Sequence, residues 1–556
     1  MSDKERLVYL PLGGAGEIGM NMYLYGYGAP GKERWIMVDA GVTFPNMDTT
    51  PGVDLIMADP KYAVERADQL EGLFITHAHE DHVGAVGILH EKIRCPIWAR
   101  RFTALIARNK MERVGGDIER INVAPAYPES IEVGPFKVSF VPISHSIPEA
   151  SGLLIETPAG KIFHSGDFKI DRDPVIGDPW DEEMFRQIGE GGIKALVCDS
   201  TNVFGQEPGR SESTLKPHVT DLIKSAQGMV VATTFASNIA RLKTLAQAGV
   251  DAGRKVVMLG RAMNVMLDAG RRSNIVTDFP PLTDVDDAEN IPRGQLMLLV
   301  TGSQGERRAA SAQLARGKYM GLSLDEGDMF LFSSKTIPGN ELGVAYIKNQ
   351  LSELGVHSYG DGDTRYHVSG HANRPDIEKL QDILQPQIVV PMHGEHRHLR
   401  EHAEISADKG RQGIIAPNGT MVDLTGDKGK IVDGIETGRT YLDGDVLIGA
   451  MDGVVRQRLQ MALRGLVVVN LVIDEQGAPV DGVWAELHGV PMPSGKPLAE
   501  ELESEIEDAM QSAKGKKLRS DDAVESLVVK TVNRVVKDRT GKKPLIEVMI
   551  NRMMFD

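Results

Sequence analysis

Short apolar runs, each closed by a polar residue, recur through the first 200 positions and again near position 390. RWIMVDAG leads to Asp39, GLFITHAH to His77, FKVSFVPISH to His145, GKIFHSGD to Asp167, IKALVCDS to Asp199 and PQIVVPMH to His393. The runs are four to seven residues long and rich in Val and Ile, which predicts buried strands. Polar groups placed after successive strands gather along one edge of a sheet, where α/β architectures put their chemistry. Gly14-Ala15-Gly16-Glu17-Ile18-Gly19 has the spacing of a dinucleotide fingerprint, which requires a helix to follow. Instead Met20, Met22, Leu24 and Gly26 alternate with Asn21, Tyr23 and Tyr25, so the glycines predict a tight turn between two strands.

The pattern then changes. MVVATTFASNIARLKTLAQAG reads as strand, loop and helix, and GQLMLLVTGSQGE and GDMFLFSSKTIPGNELGVAYIKNQL repeat that order. The repetition predicts a parallel sheet covered by helices. In the last hundred residues, ELESEIEDAMQSAKGKKLRSDD predicts a charged helix followed by a loop. Val524, Leu527, Val528, Val532 and Val535 make an apolar helical face, and PLIEVMINRM reads as a strand, together a small α/β module. Between Lys514 and Lys543 stand ten Lys/Arg against four Asp/Glu, a stretch that suits either contact with a polyanion or a solvated face.

At 556 residues the chain needs several domains. It has no run of about 18 apolar residues and no secretory segment, so a membrane partner is not expected. Its two cysteines, Cys95 and Cys198, fit a reducing cytoplasm. A net charge of −16 argues against broad nonspecific nucleic-acid binding, although local patches override net charge. The fifteen histidines are uneven: none lies between His218 and His357, and beyond His402 there is His488 alone. Histidine chemistry therefore belongs to two blocks, near 77–164 and 367–402.

FITHAHEDHVGA, residues 74–85, crowds His77, His79, Glu80, Asp81 and His82 between a strand and the expected helix VGAVGIL. Convergent imidazoles and carboxylates suit zinc or manganese. With the residues that close the other strands added, six or seven such groups oversupply one tetrahedral ion and match two metals bridged by a carboxylate and a water.

His77-x-His79-x-Asp81-His82 resembles the signature of the metallo-β-lactamase superfamily, and His145, Asp167 and His393 match its later motifs in order. By resemblance His77, His79 and His145 hold one ion, Asp81, His82 and His393 hold the other, Asp167 bridges, and Asp39 stands behind the ligands. About 225 residues separate Asp167 from His393. They contain CDSTNV, TTFASNIARL, VTGSQGE, FSSKTIPGNE and HVSGHA, which resemble the β-CASP insertion of nucleic-acid-processing members, with Asp199 and His371 at two of its motifs. The order of motifs and the terminal domain resemble the bacterial ribonuclease J family over essentially the whole chain.

The resemblance implies a metallo-β-lactamase αββα sandwich with an inserted β-CASP α/β domain and a small C-terminal α/β domain. The expected boundaries are 1–208 and 361–450 for the two parts of the sandwich, 209–360 for the insert and 451–556 for the terminal domain. It implies a ribonuclease with 5′→3′ exonuclease and endonuclease activity in RNA maturation and decay, including ribosomal RNA processing. It also implies two zinc ions per site (manganese or magnesium as alternatives) and a homodimer or homotetramer through the terminal domain. Asp81 or Asp167 would orient the attacking water. His367, Val368, Ser369, Gly370 and His371 compose a segment suited to a 5′-monophosphate, and His371 is also the candidate general acid. The loops TGSQGE and SSKTIPGN suit phosphate contacts or ordinary turns, and Phe235 suits base stacking or core. His164, His396 and His398 are expected behind the ligands, while His90, His218, His357, His402 and His488 are expected at the surface or in the core. The alternatives are a DNA nuclease of the same superfamily and a hydrolase of small esters or thioesters.

Overall fold

The computed structural model describes residues 4–360, 362–492, 494–495, 497–513 and 518–554. Residues 1–3 of the charged start and the lysines of 514–517 lie outside them. Two compact units result: residues 1–43 with 57–440, and residues 44–56 with 441–556.

The first unit contains a sandwich of two sheets. In the eight-stranded sheet the order is 430–434, 420–423, 6–13, 22–28, 34–38, 70–75, 97–99 and 121–123. In the seven-stranded sheet it is 131–133, 136–142, 151–157, 160–164, 195–199, 388–392 and 412–413. Tyr9, Tyr23, Tyr25 and Phe74 of one sheet meet Phe140, Ile155, Val197 and Val390 of the other in one buried cluster. Each such side chain taken from water is worth about 1.5–3 kcal/mol. Gly14, Gly16 and Gly19 all have positive φ between the strands Arg6–Gly13 and Met22–Gly28, and no helix follows them, so the stretch is not a nucleotide fingerprint; it is longer than the tight turn expected, and its Ala15–Gly16 pairs in parallel with Gly394–Glu395. Pro391 lies within Ile388–Met392, yet the neighbour at 412–413 pairs no further than Ile388 and Val389, so the missing N–H breaks no ladder bond.

The insert is a five-stranded sheet in the order 255–259, 296–300, 230–233, 329–332 and 357–360, parallel throughout. Helices Ile239–Asp251 and Glu341–Glu353 follow its strands, as the repeated strand–loop–helix pattern predicts. In the second unit, helices Leu498–Ser512 and Asp521–Thr540 cover a three-stranded sheet ordered 479–488, 466–473 and 545–552. The apolar helix face does not reach outward to a second subunit: Val524, Val528, Val532 and Val535 are buried in the module's own core. Among the described residues, no helix is long and apolar enough to cross a membrane.

Candidate active site

Strands 34–38 and 70–75 are parallel neighbours, as are 160–164, 195–199 and 388–392, so their C-terminal ends share one edge of the sandwich. That edge gathers all six strand-end residues. His77 follows Leu70–Ile75, and His79 is the N-cap of a one-turn helix, Glu80–Val83, that carries Asp81 and His82. The helix expected in VGAVGIL is absent. It begins at Glu80 instead, and the apolar stretch continues as buried turns. Gly84 and Gly87 weaken any longer helix, and a side chain at 87 would meet the Lys110 carbonyl at 2.7 Å.

The histidines are held so that their tautomers follow from their partners. Asp39 accepts the Nδ1–H of His82 at 2.7 Å. The Thr76 hydroxyl donates to Asp39 at 2.9 Å and so accepts from His77 Nδ1 at 3.0 Å. The Gly370 carbonyl accepts from His145 Nδ1 at 2.5 Å. The Thr201 hydroxyl donates to the His393 carbonyl at 2.9 Å and accepts from His393 Nδ1 at 2.6 Å. With Nδ1 engaged, Nε2 is the atom each ring turns to the site: it carries a free lone pair in His77 and His145, and in His82 and His393 a cation would take the place of its proton. Asp39 and His393 hold positive φ, 62° and 49°, a strain of about 1–3 kcal/mol each that the surrounding bonds offset.

His79 Nδ1 lies 3.1 Å from both His77 Nε2 and His145 Nε2, and Asp167 Oδ2 lies 3.8 and 3.7 Å from the same two nitrogens. Ligand atoms around a tetrahedral cation with 2.0–2.1 Å bonds stand roughly 3.3–3.4 Å apart. The second set meets the same test. Asp81 Oδ2 is 3.0 Å from His393 Nε2 and 3.5 Å from His82 Nε2, which is 3.3 Å from Asp167 Oδ2. Asp167 Oδ1 is buried with no hydrogen-bond partner. Imidazole lone pairs around a shared carboxylate fit divalent cations. Asp167, Asp199, His371 and His393 form a third ligand-bearing set. There the atom of His393 facing Asp199 is Nδ1, at 3.6 Å, and Thr201 already engages it.

The charges divide the cluster. Burial holds His79 down to about 4, and burial holds His77 and His145 well below the usual imidazole range, so these rings are neutral. Burial pulls His82 and His393 down too, but carboxylates outweigh it: Asp167, Asp81 and Asp39 hold His82 well above its usual value, and Asp167, Asp199 and Asp81 lift His393 to about 10. Asp167 is held well below the carboxylate range by His393, His82 and His371, against its own burial.

HVSGHA adjoins this cluster. His371 Nδ1 lies 2.8 Å from Asp199 Oδ2, the backbone N–H of His371 donates to Ser369 Oγ at 3.1 Å, and the pairing with Asp199 and Asp167 lifts the ring's pKa against burial. His367 is pushed down to about 3 by burial and by Arg241. Buried Arg241 pairs with Glu212 and donates to the carbonyls of Ser333, at 2.5 Å, and Val368, at 3.4 Å. That ties the insert to HVSGHA. Val368 is itself buried.

Three histidines expected behind the ligands do not touch them. His164 is buried beneath the site against the Tyr25 hydroxyl at 2.8 Å, His398 is buried near Glu395, and His396 is exposed. The residues that do back the ligands include Asn21, Thr76, Thr201 and Gly370. Their signal is a hydroxyl, an amide or a carbonyl, which no sequence spacing announces.

Comparison with known proteins matches family models along the chain: Metallo-beta-lactamase superfamily over 16–213, Ribonuclease J, beta-CASP domain over 227–351, Zn-dependent metallo-hydrolase RNA specificity domain over 364–417, and Ribonuclease J C-terminal domain over 453–553. A Ribonuclease J of Sinorhizobium meliloti is 39% identical, with 100% of this chain and 98% of that protein aligned. One of Mycolicibacterium smegmatis is 33% identical over 96% and 95%, and one of Helicobacter pylori 30% over 98% and 80%. A crystal structure of an Enterococcus faecalis protein of unknown function covers 75% of this chain and all of its own, at TM-score 0.51 and 16% identity, a likeness of fold alone. With this identity along its whole length, and with His and Asp groups that could hold metal ions gathered at the sandwich edge, the chain belongs to the ribonuclease J family of metal-dependent hydrolases.

Proposed function

We propose that this chain is a cytoplasmic two-metal ribonuclease that removes nucleotides 5′→3′ from RNA ends bearing a 5′-monophosphate and also cuts internally, in RNA maturation and decay. The observation that carries the reading is Asp167. Its carboxylate is within ligand distance of both the His77–His79–His145 set and the Asp81–His82–His393 set. Two zinc ions, or manganese or magnesium, held there would lower the pKa of an attacking water and neutralise charge on the phosphate.

The chain's own groups supply the rest. Asp81 or Asp167 orients the nucleophile. Asp199 keeps His371 protonated, which leaves its Nε2 to give a proton to the departing oxygen or to contact a phosphate. His367, Val368, Ser369, Gly370 and His371 frame the end of the substrate. Gly370 and His371 tie that segment to the metal ligands through His145 and Asp199. A triphosphate brings extra volume and charge to that segment, and displacing the scissile bond by about 1 Å costs on the order of 100-fold in rate. The terminal unit supports assembly into a dimer or tetramer. Trp484, Asn470 and Met549 align across its three strands, with Trp484 and Met549 exposed.

The test is one RNA body with a 5′-monophosphate or a 5′-triphosphate, labelled at either end, beside the matching DNA and a chromogenic ester. The monophosphate RNA should release 5′-labelled mononucleotide, and the triphosphate RNA internal fragments alone. Equal exonuclease rates on both ends would remove the end preference. Turnover of DNA or ester in place of RNA would overturn the reading.

A further inference from the structure

Asn21 is fully buried beside the histidine cluster, and the proposed reaction leaves it without a task. Its Nδ2 lies 3.0 Å from the backbone carbonyl of Asp81, 3.0 Å from His82 Nε2 and 3.4 Å from Asp81 Oδ2. Its Oδ1 accepts the Tyr23 hydroxyl at 2.7 Å. Chemistry fixes the amide's orientation. A backbone carbonyl cannot donate, so the NH2 must face Asp81, and Oδ1 then faces the one donor on the other side, Tyr23. The backbone N–H of Asn21 donates to the same Asp81 carbonyl at 2.9 Å.

One side-chain N–H is thus committed to the Asp81 carbonyl, and the other points between His82 Nε2 and Asp81 Oδ2. A cation on His82 would occupy that nitrogen's lone pair. The second N–H would then have a single acceptor, Asp81 Oδ2. That is the oxygen already facing His393 Nε2 at 3.0 Å, so Asn21 would orient the ligating atom itself.

We propose that Asn21, locked by Tyr23, is a positioning residue for the cation held by Asp81, His82 and His393, and that it has no part in holding the cation of His77, His79 and His145. The inference rests on the two-metal reading above.

The test is equilibrium dialysis of chelator-stripped full-length chain against buffered Zn²⁺, counting ions per chain, with melting of the stripped protein alongside. Wild type should bind two ions. Asn21→Ala should keep one at wild-type affinity and weaken the other 10–100-fold, the usual range for a group behind a ligand. The stripped variant should melt near wild type, because the backbone bond from residue 21 to the Asp81 carbonyl remains. Tyr23→Phe keeps the buried ring and should weaken the same ion by less, and it decides the matter if the alanine variant does not fold. Two ions at wild-type affinity in both variants would overturn the proposal. So would equal weakening of both ions together with a lowered melting temperature, which marks a role in the fold alone. A wild type that binds no Zn²⁺ would overturn the two-metal reading itself.

Discussion

The carbonyl of Gly370 holds the Nδ1–H of His145 at 2.5 Å across 225 residues of sequence. One bond thus joins the segment proposed to take the RNA end to a histidine proposed to take a metal. A side chain at position 370 would meet His145 Cε1 at 2.9 Å and Ser146 Oγ at 2.5 Å. Gly370→Ala should therefore displace the ring and weaken metal binding by about 10–100-fold. Metal content after dialysis, beside RNA cleavage, measures it, and an alanine variant with wild-type metal content would refute the linkage.

Asp39 acts on the other set through His82. In Asp39→Asn the amide presents one acceptor where the carboxylate served the Thr76 N–H, the Thr76 hydroxyl and His82 together. Metal affinity should fall by about 10–100-fold. Titration with Zn²⁺ reads the change, and an unaltered affinity would show that Asp39 does not set the His82 tautomer.

Asp199 is proposed to keep His371 protonated. Asp199→Asn removes the charge that raises His371, so the alkaline limb of the kcat–pH profile should move to lower pH. The rate near neutrality should drop on the order of 100-fold. A profile that keeps its alkaline limb would take His371 out of the acid role. Ser369→Ala should by contrast slow digestion from 5′-monophosphate ends more than internal cleavage.

His402 gives stability a pH dependence. It is buried between Ser200 and Gln381, and burial holds it down to about 4. The folded chain binds the proton less readily than the unfolded chain, whose histidine titrates near 6.5. The contribution is therefore full above about pH 6.5 and lost progressively as pH falls to about 4, a span worth roughly 3 kcal/mol. Unfolding of the metal-free chain should show a slope to which the buried His77, His79, His145 and His367 also contribute, and His402→Gln should make it shallower. A variant with the wild-type slope would contradict the assignment.

Much of the site was legible in the sequence because its ligands are local. Four of the seven proposed ligands stand within His77–His82, and the other three close their own β runs. What backs them was not legible. Thr201 reaches His393 across 192 residues and Asn21 reaches Asp81 across 60, through groups common everywhere in the chain. The apolar face of Val524, Val528 and Val532 shows the complementary failure. Periodicity reports that a helix face is covered, but a neighbouring sheet covers it as well as a second subunit does. The exposed Trp484 and Met549 are the place to break the proposed assembly, and Trp484→Glu with Met549→Glu should lower the mass seen by light scattering.

The central claim is that Asp167 joins two metal sets into one centre. Elemental analysis of purified wild type and Asp167→Ala, after dialysis against the same buffered metal, tests it most directly. The account predicts two ions per chain in wild type and at most one in the variant, with RNA cleavage lost. A wild type without transition metal, or a variant with two ions and full activity, would contradict it.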